Sequence, residues 1–307
     1  MKHQIDPTVD CVFKAVLGSE SNKNLLIHFL NAVLALPAGQ HIQEVELLNP
    51  FNEREFASDK LSVVDVKAKD EQRRSYQIEI QKLTHADLPA RMLYTWCSLY
   101  HALLNKGDDF AVLKPVLAIW LLCENLFPAL PEAHLAFAVL DPRYRVRLTD
   151  HLGIHVLQLP AWQCHVQPDE FDRWMYFFKE GKMLDIEHPP TILQTQEMTQ
   201  AMSTLQRFSE NERHYLLYQQ RLEAEFVEAT WKNQVARADR NADQERQAKE
   251  HERAEKEQAY AEKERAYSEK ERERVEKERE RAEKERERAE KERLLALLKQ
   301  LGIEPNQ

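Results

Sequence analysis

Asp65 and Glu79 are the residues of this chain best placed to do chemistry. They lie within residues 60–82, KLSVVDVKAKDEQRRSYQIEIQK, a stretch that reads as two strands joined by a polar turn at residues 70–74. Val63, Val64 and Val66 flank Asp65, and Tyr76, Ile78 and Ile80 alternate with Gln77, Glu79 and Gln81. A period of two puts Gln77, Glu79 and Gln81 on one face of their strand. If the strands pair as a hairpin, Asp65 faces the same side and two carboxylates become neighbours. Such a pair repels, shares a proton or holds a cation. In the cation case Asp65 and Glu79 are ligands of Mg²⁺ or another divalent ion. The backbone carbonyl of Ile80 would add a third oxygen, and waters would complete the octahedron. Gln81, two residues on, would orient an attacking water, and Lys60 or Lys67 would reach a phosphate. That set suits phosphodiester hydrolysis, which needs a polarising cation, an activated water and a nearby polar or cationic group. The competing expectation is that Asp65 and Glu79 are ordinary surface residues of a half-exposed sheet.

The surrounding elements must hold these groups in place. DCVFKAVL carries Val12, Phe13, Val16 and Leu17 at helical spacing, and Asp10, Phe13 and Lys14 form a D-x-x-F-K pattern. NKNLLIHFLNAVLAL reads as an amphipathic helix ended by Pro37 and Gly39, and IQEVELLNP as a first strand. After the hairpin, residues 84–107 read as a long helix with Thr84 at its N-cap and Gly107 past its end. PVLAIWLLC is short, continuously apolar and bounded by prolines, which predicts a strand buried on both faces. The strand–helix–strand order predicts a right-handed crossover and a mixed α/β sheet.

HLAFAVLD and RYRVRLTD follow as strands or strand-like connections. Arg143, Arg145 and Arg147 would share a face, as a solvated edge or a phosphate-contacting ridge. IHVLQLP is a further strand, on which His151 and His155 would share a face without the third ligand that a zinc site needs. PDEFDRWMYFFKEG predicts a helix capped near Asp169, and Ser209 with Glu212 has the spacing of a capping box.

The 307 residues suffice for one good-sized domain and an appendage. A net charge of −9 argues against bulk affinity for nucleic acid, so a DNA contact has to come from local basic patches. Cys11, Cys97, Cys123 and Cys164 are widely spaced and are expected to be reduced thiols of a cytoplasmic protein. The start, MKHQIDPTVD, lacks an apolar core for secretion, and no run reaches the roughly 18 apolar residues of a membrane span. From about Asn241 the chain turns into heptads such as RERVEKE and RERAEKE. Only one slot per heptad is apolar (Ala254, Ala261, Val275, Ala282, Ala289), too thin a seam for a strong coiled coil. The Glu-to-Lys pairs at i,i+4 favour a solvated single helix, with weak homo-oligomerisation as the alternative.

Taken together, the D-x-x-F-K pattern, FLNAVL, VVDVKAKD, IEIQ, AIWLL, DHLGIHVLQL and RWMYFF resemble the PD-(D/E)XK nuclease family transposases, or recombination-promoting nucleases, over roughly residues 5–235. The resemblance implies a restriction-endonuclease-like fold, a metal-dependent DNA endonuclease and a link to recombination of mobile DNA. It aligns Asp65 and Glu79 with the two acids of the superfamily motif and Asp10 with an N-terminal acid that helps hold the metal. Gln81 stands where a lysine is usual, which leaves Lys60 and Lys67 as candidates for that role. The expected organisation is a nuclease-like core over 1–185, a helical extension over 186–240, a charged heptad helix over 241–293 and a short amphipathic end. The alternative of another class is a catalytically inactive nuclease fold serving as an interaction scaffold.

Overall fold

The computed structural model describes residues 2–37, 39–49 and 65–300. Two compact units are distinguished, Met1–Ala229 and Thr230–Gln307. The first opens with helices α1 (Asp10–Leu17) and α2 (Lys23–Leu34). Strands β1 (Val45–Leu47), β2 (Val66–Asp70) and β3 (Ser75–Gln81) follow, then helix α3 (Leu88–His101). Strands β4 (Val116–Leu122), β5 (His134–Phe137) and β6 (Leu152–Gln158) lead to helices α4 (Glu170–Glu180) and α5 (Gln196–Glu210). Helix α6 runs over Glu212–Gln300, beginning in the first unit and forming the described part of the second.

The six strands make one mixed sheet in the order β1-β2-β3-β4-β6-β5. β3, β4 and β6 are parallel neighbours, and the outer pairings are antiparallel. One face carries Val66, Tyr76, Ile78 and Ile119 into a core shared with α1, α2, α4 and α5. The other carries Val116, Ala118, Trp120 and Val156 against Leu88, Met92, Trp96 and Leu99 of α3. This double covering explains the apolar run of β4, which has no solvent face to give polar residues. α1 is held by Val12, Phe13, Val16 and Leu17, all fully buried, each worth about 1.5–3 kcal/mol of transfer free energy. α4 starts with a capping box in which Asp169 accepts from the N–H of Asp172 and Asp172 from that of Asp169.

Several local expectations give way to tertiary partners. Thr84 is no N-cap: α3 begins four residues later, and the Thr84 N–H and hydroxyl both donate to Glu124. Ser209 lies inside α5, where its hydroxyl accepts from the His3 N–H, and Asn211 instead accepts from the N–H groups that open α6. Residues 143–148 form no strand of the sheet; they belong to an arm beyond β5 that turns back on residues 139–141, with the bridge Leu140–Arg147 and backbone bonds from the Leu148 N–H to the Val139 carbonyl and from the Asp141 N–H to the Val146 carbonyl, and Arg145 has φ 57°. His151 and His155 do not act together, since His151 meets Tyr100 at 2.8 Å and His155 meets His134 at 2.9 Å. The four cysteines are free thiols. Among the described residues no helix is long and apolar enough to cross a membrane.

Within α6 the side chains over residues 233–297 are exposed almost throughout, and Glu245–Lys249 and Glu252–Lys256 pair at 2.7 and 2.6 Å. Each such pair contributes roughly 0.2–0.5 kcal/mol, so the segment's helicity rests on many small local terms and not on a core.

Candidate functional site

The β2–β3 hairpin is clamped by a buried carboxylate at its turn. Oδ1 of Asp70 accepts from the N–H groups of Gln72 and Arg74 at 3.0 and 2.8 Å. Its Oδ2 accepts from Arg74 Nε at 2.6 Å and from the Tyr76 hydroxyl at 2.8 Å. Arg73 takes a left-handed φ of 65° to close the turn. The resulting register sets Val66 opposite Ile78 and Lys67 opposite Gln77. One step further along, Asp65 comes opposite Glu79, and directly opposed residues of an antiparallel pair share a face.

The two acids sit in different environments. Oδ2 of Asp65 accepts from the Ile80 N–H at 2.8 Å, and its Oδ1 lies 3.1 Å from the Lys14 ammonium. Burial raises its pKa above the usual carboxylate range, against the pull of the Ile80 N–H and Lys14. Glu79 is only 3 % exposed, on the face covered by α3, so it is not a surface residue. It accepts from Gln77 Nε2 at 3.2 Å, and Arg91 of α3 approaches to 3.9 Å. Burial, then the neighbouring charge of Asp65, push Glu79 up to about 8. A carboxylate held so far above its ordinary value gains from an added cation, because the cation relieves both causes at once.

The donor chemistry suits a hard divalent ion: two carboxylates and the backbone of Ile80, all oxygen. An extended residue projects its N–H and C=O to the same side. The Ile80 carbonyl therefore points to the edge where its N–H meets Asp65. Among the described residues no three His, Cys, Asp or Glu side chains converge to hold an ion by themselves. Asp10 is joined to Asp65 through Lys14, whose ammonium is 3.7 Å from Asp10 and 3.1 Å from Asp65, and Asp10 is 3.5 Å from Arg221 of α6.

Gln81 is engaged at both ends. Its Nε2 donates to the Leu83 carbonyl at 2.9 Å, and its Oε1 accepts from Arg91 at 3.2 Å. Arg91 in turn lies over the Trp120 ring, 5.5 Å from the centroid. Lys82 is tied to Asp6 at 3.0 Å and to the Thr8 hydroxyl; against its burial, Lys82 and the Thr8 N–H and hydroxyl, which both donate to Asp6, hold Asp6 below its ordinary pKa. Lys67 lies opposite Gln77, two pairs beyond Asp65. Lys60 lies outside the described residues. A cleft of about 470 Å³ adjoins the site, lined by Asp10, Ile80, Gln81, Lys82, Arg221 and Phe226 among others.

Sequence reasoning missed Lys14, Arg91 and Arg221. Lys14 had a signal: it is four residues after Asp10 in the D-x-x-F-K pattern, so the two share a face of α1 while Phe13 anchors the helix in the core. Arg91 and Arg221 come from α3 and α6 and had none.

A family model described as PD-(D/E)XK nuclease family transposase matches residues 7–238. The chain belongs to this family. The match takes in Asp10, Lys14, Asp65, Glu79, Gln81, Arg91 and Arg221. It ends just before the heptads, which lie outside the family's common part. Neither the curated proteins nor the solved structures contain a match. The mixed sheet with helices on both faces is the restriction-endonuclease-like fold expected of the family.

Proposed function

We propose that the protein is a divalent-cation-dependent DNA endonuclease acting in the recombination or transposition of mobile DNA. Glu79 carries the reading: a buried carboxylate beside a second one, on a hairpin whose register brings them together, with a protonation state that a cation would reset. Asp65, Glu79 and the Ile80 carbonyl would hold Mg²⁺ or a similar ion. When bound, that ion would supply charge neutralisation at the phosphate and a more acidic water. The chain's own groups do the rest. The Ile80 N–H fixes the orientation of Asp65. Gln77 and Arg91 fix Glu79, and Arg91 also fixes Gln81 at the cleft. Arg143, Arg145 and Arg147, all exposed on the arm beyond β5, would meet phosphates of the DNA; no carboxylate pairs with their side chains among the described residues.

The test is nicking of supercoiled plasmid with Mg²⁺ by the wild type, Asp65→Ala and Glu79→Ala. Nicking by the wild type alone is expected. Equal nicking by all three would sink the assignment of the site, and no nicking by any would leave a nuclease fold serving as a scaffold.

A further inference from the structure

We propose that Lys14 of α1 supplies the cationic side chain at the scissile phosphate that position 81, a glutamine, does not. The inference rests on the nuclease reading above and adds to it a residue on a different element. Among the described residues Lys14 is the cation in direct contact with Asp65, 3.1 Å from Oδ1, and it is 3.7 Å from Asp10. Among the described residues the other nearby cations have partners of their own: Lys82 has Asp6 and Thr8, Arg91 has Gln81, the Trp120 ring and, at 3.9 Å, Glu79, and Arg221 has Asp10, while Lys67 lies two pairs away along β2. Gln81 donates away from the site, to the Leu83 carbonyl.

Lys14 is also built to be held there. Val12, Phe13, Val16 and Leu17 lock the other side of α1 into the core, and Phe13 packs on Phe178 at 5.5 Å. Gly18 ends the helix against β2, its N–H bonded to the Lys14 carbonyl at 2.7 Å. A Cβ at Gly18 would lie 2.9 Å from that carbonyl and 3.0 Å from Val66, the residue after Asp65. The close approach fixes the base of the Lys14 side chain relative to Asp65, while the side chain as a whole stays 38 % exposed.

During hydrolysis the water oxygen bonds to phosphorus and the bond to the departing sugar oxygen breaks. One water proton ends on that sugar oxygen and the other on solvent. The Lys14 ammonium keeps its proton throughout and donates hydrogen bonds to the non-bridging oxygens as they gain negative charge. That places Lys14 among the catalytic residues, with no role in holding the cation; in the absence of substrate it occupies one oxygen of Asp65.

The experiment compares the wild type, Lys14→Gln, Gln81→Lys and the double variant in plasmid nicking. Mn²⁺ binding to each protein is measured separately by calorimetry without DNA. Lys14→Gln is expected to lower kcat about 10²-fold or more, the loss typical of removing one charge-stabilising donor, with KM little changed. It should bind Mn²⁺ as tightly as the wild type or tighter, because Lys14 no longer competes for Asp65. The double variant should recover much of the lost rate by restoring an ammonium from the strand side. Nicking by Lys14→Gln within threefold of the wild type overturns the proposal. So does a loss that Gln81→Lys fails to relieve, or one accompanied by lost Mn²⁺ binding, since either marks Lys14 as a structural partner of Asp65. A wild type that binds Mn²⁺ but does not nick overturns the nuclease reading itself, and this inference with it.

Discussion

The Ile80 N–H donates to Oδ2 of Asp65 at 2.8 Å, so the strand that carries Glu79 also aims the opposing acid. The bond ties the entry of β2 to the end of β3 beyond their last ladder pair. It leaves Oδ1 of Asp65 to Lys14 and sets the Asp65 charge beside buried Glu79.

Glu79→Gln should stabilise the protein and abolish tight cation binding. With its pKa raised from 4.5 to about 8, Glu79 keeps in the folded state a proton that the unfolded chain gives up. Its contribution is therefore full below 4.5 and is lost as pH rises through about 8. In chelator, urea melts of the wild type should lose stability across that window, and Glu79→Gln should flatten the slope. The variant should gain on the order of 2–4 kcal/mol at pH 8, one pKa unit being worth about 1.4. A wild-type slope as flat as that of the variant would contradict the assignment.

Asp70→Ala should be among the costliest single changes in the hairpin. It strands Arg74 and the Tyr76 hydroxyl, both largely buried. Removing one partner of a buried ion pair costs about 3–5 kcal/mol. Tyr76→Phe, which gives up one hydrogen bond, should cost about 1 kcal/mol. Denaturant titration checks the order, and the hairpin register predicts that nicking falls with Asp70→Ala even well below its melting temperature.

Gly18→Ala should reduce stability and nicking together. The added Cβ meets the Lys14 carbonyl at 2.9 Å and Val66 at 3.0 Å. Overpacking of this kind costs about 1–3 kcal/mol. α1 and β2 must part to accept it, which separates Lys14 from Asp65. Thermal melts and nicking assays at a temperature where the variant is folded read the two effects.

Replacing Arg143, Arg145 and Arg147 by Gln should weaken DNA binding without sequence preference. Each lost phosphate contact should make the slope of log affinity against log salt shallower by about 0.9. Fluorescence anisotropy at several salt concentrations measures it. An unchanged slope would mark the arm as a solvated edge.

Much of the framework was legible in the chain. Alternation along residues 76–81 placed Gln77 and Glu79 on one face, and the polar run after Asp70 marked the turn, because strand period and turn chemistry are local properties. The apolar runs of β4 and β6 and the helical spacing of α1 and α2 were read for the same reason. The errors fell where a local signal met a distant competitor. Thr84 found Glu124, forty residues on, and Ser209 found His3. The alternating arginines 143–147 had the pattern of a strand, but the left-handed backbone at Arg145 breaks it, and the end of the run meets residues 139–141 of its own arm instead of the sheet.

The sequence by itself determined that Asp65 and Glu79 would face the same way on adjoining strands, and that residues 241–293 would be helical without a core. Only the tertiary structure decided how buried Glu79 is, and which cations answer the two acids. Those features depend on α3 covering the sheet and on α1 and α6 arriving beside it. Burial and Coulomb attraction act between groups that are close in space, and no spacing along the chain encodes which distant helix will bring them there.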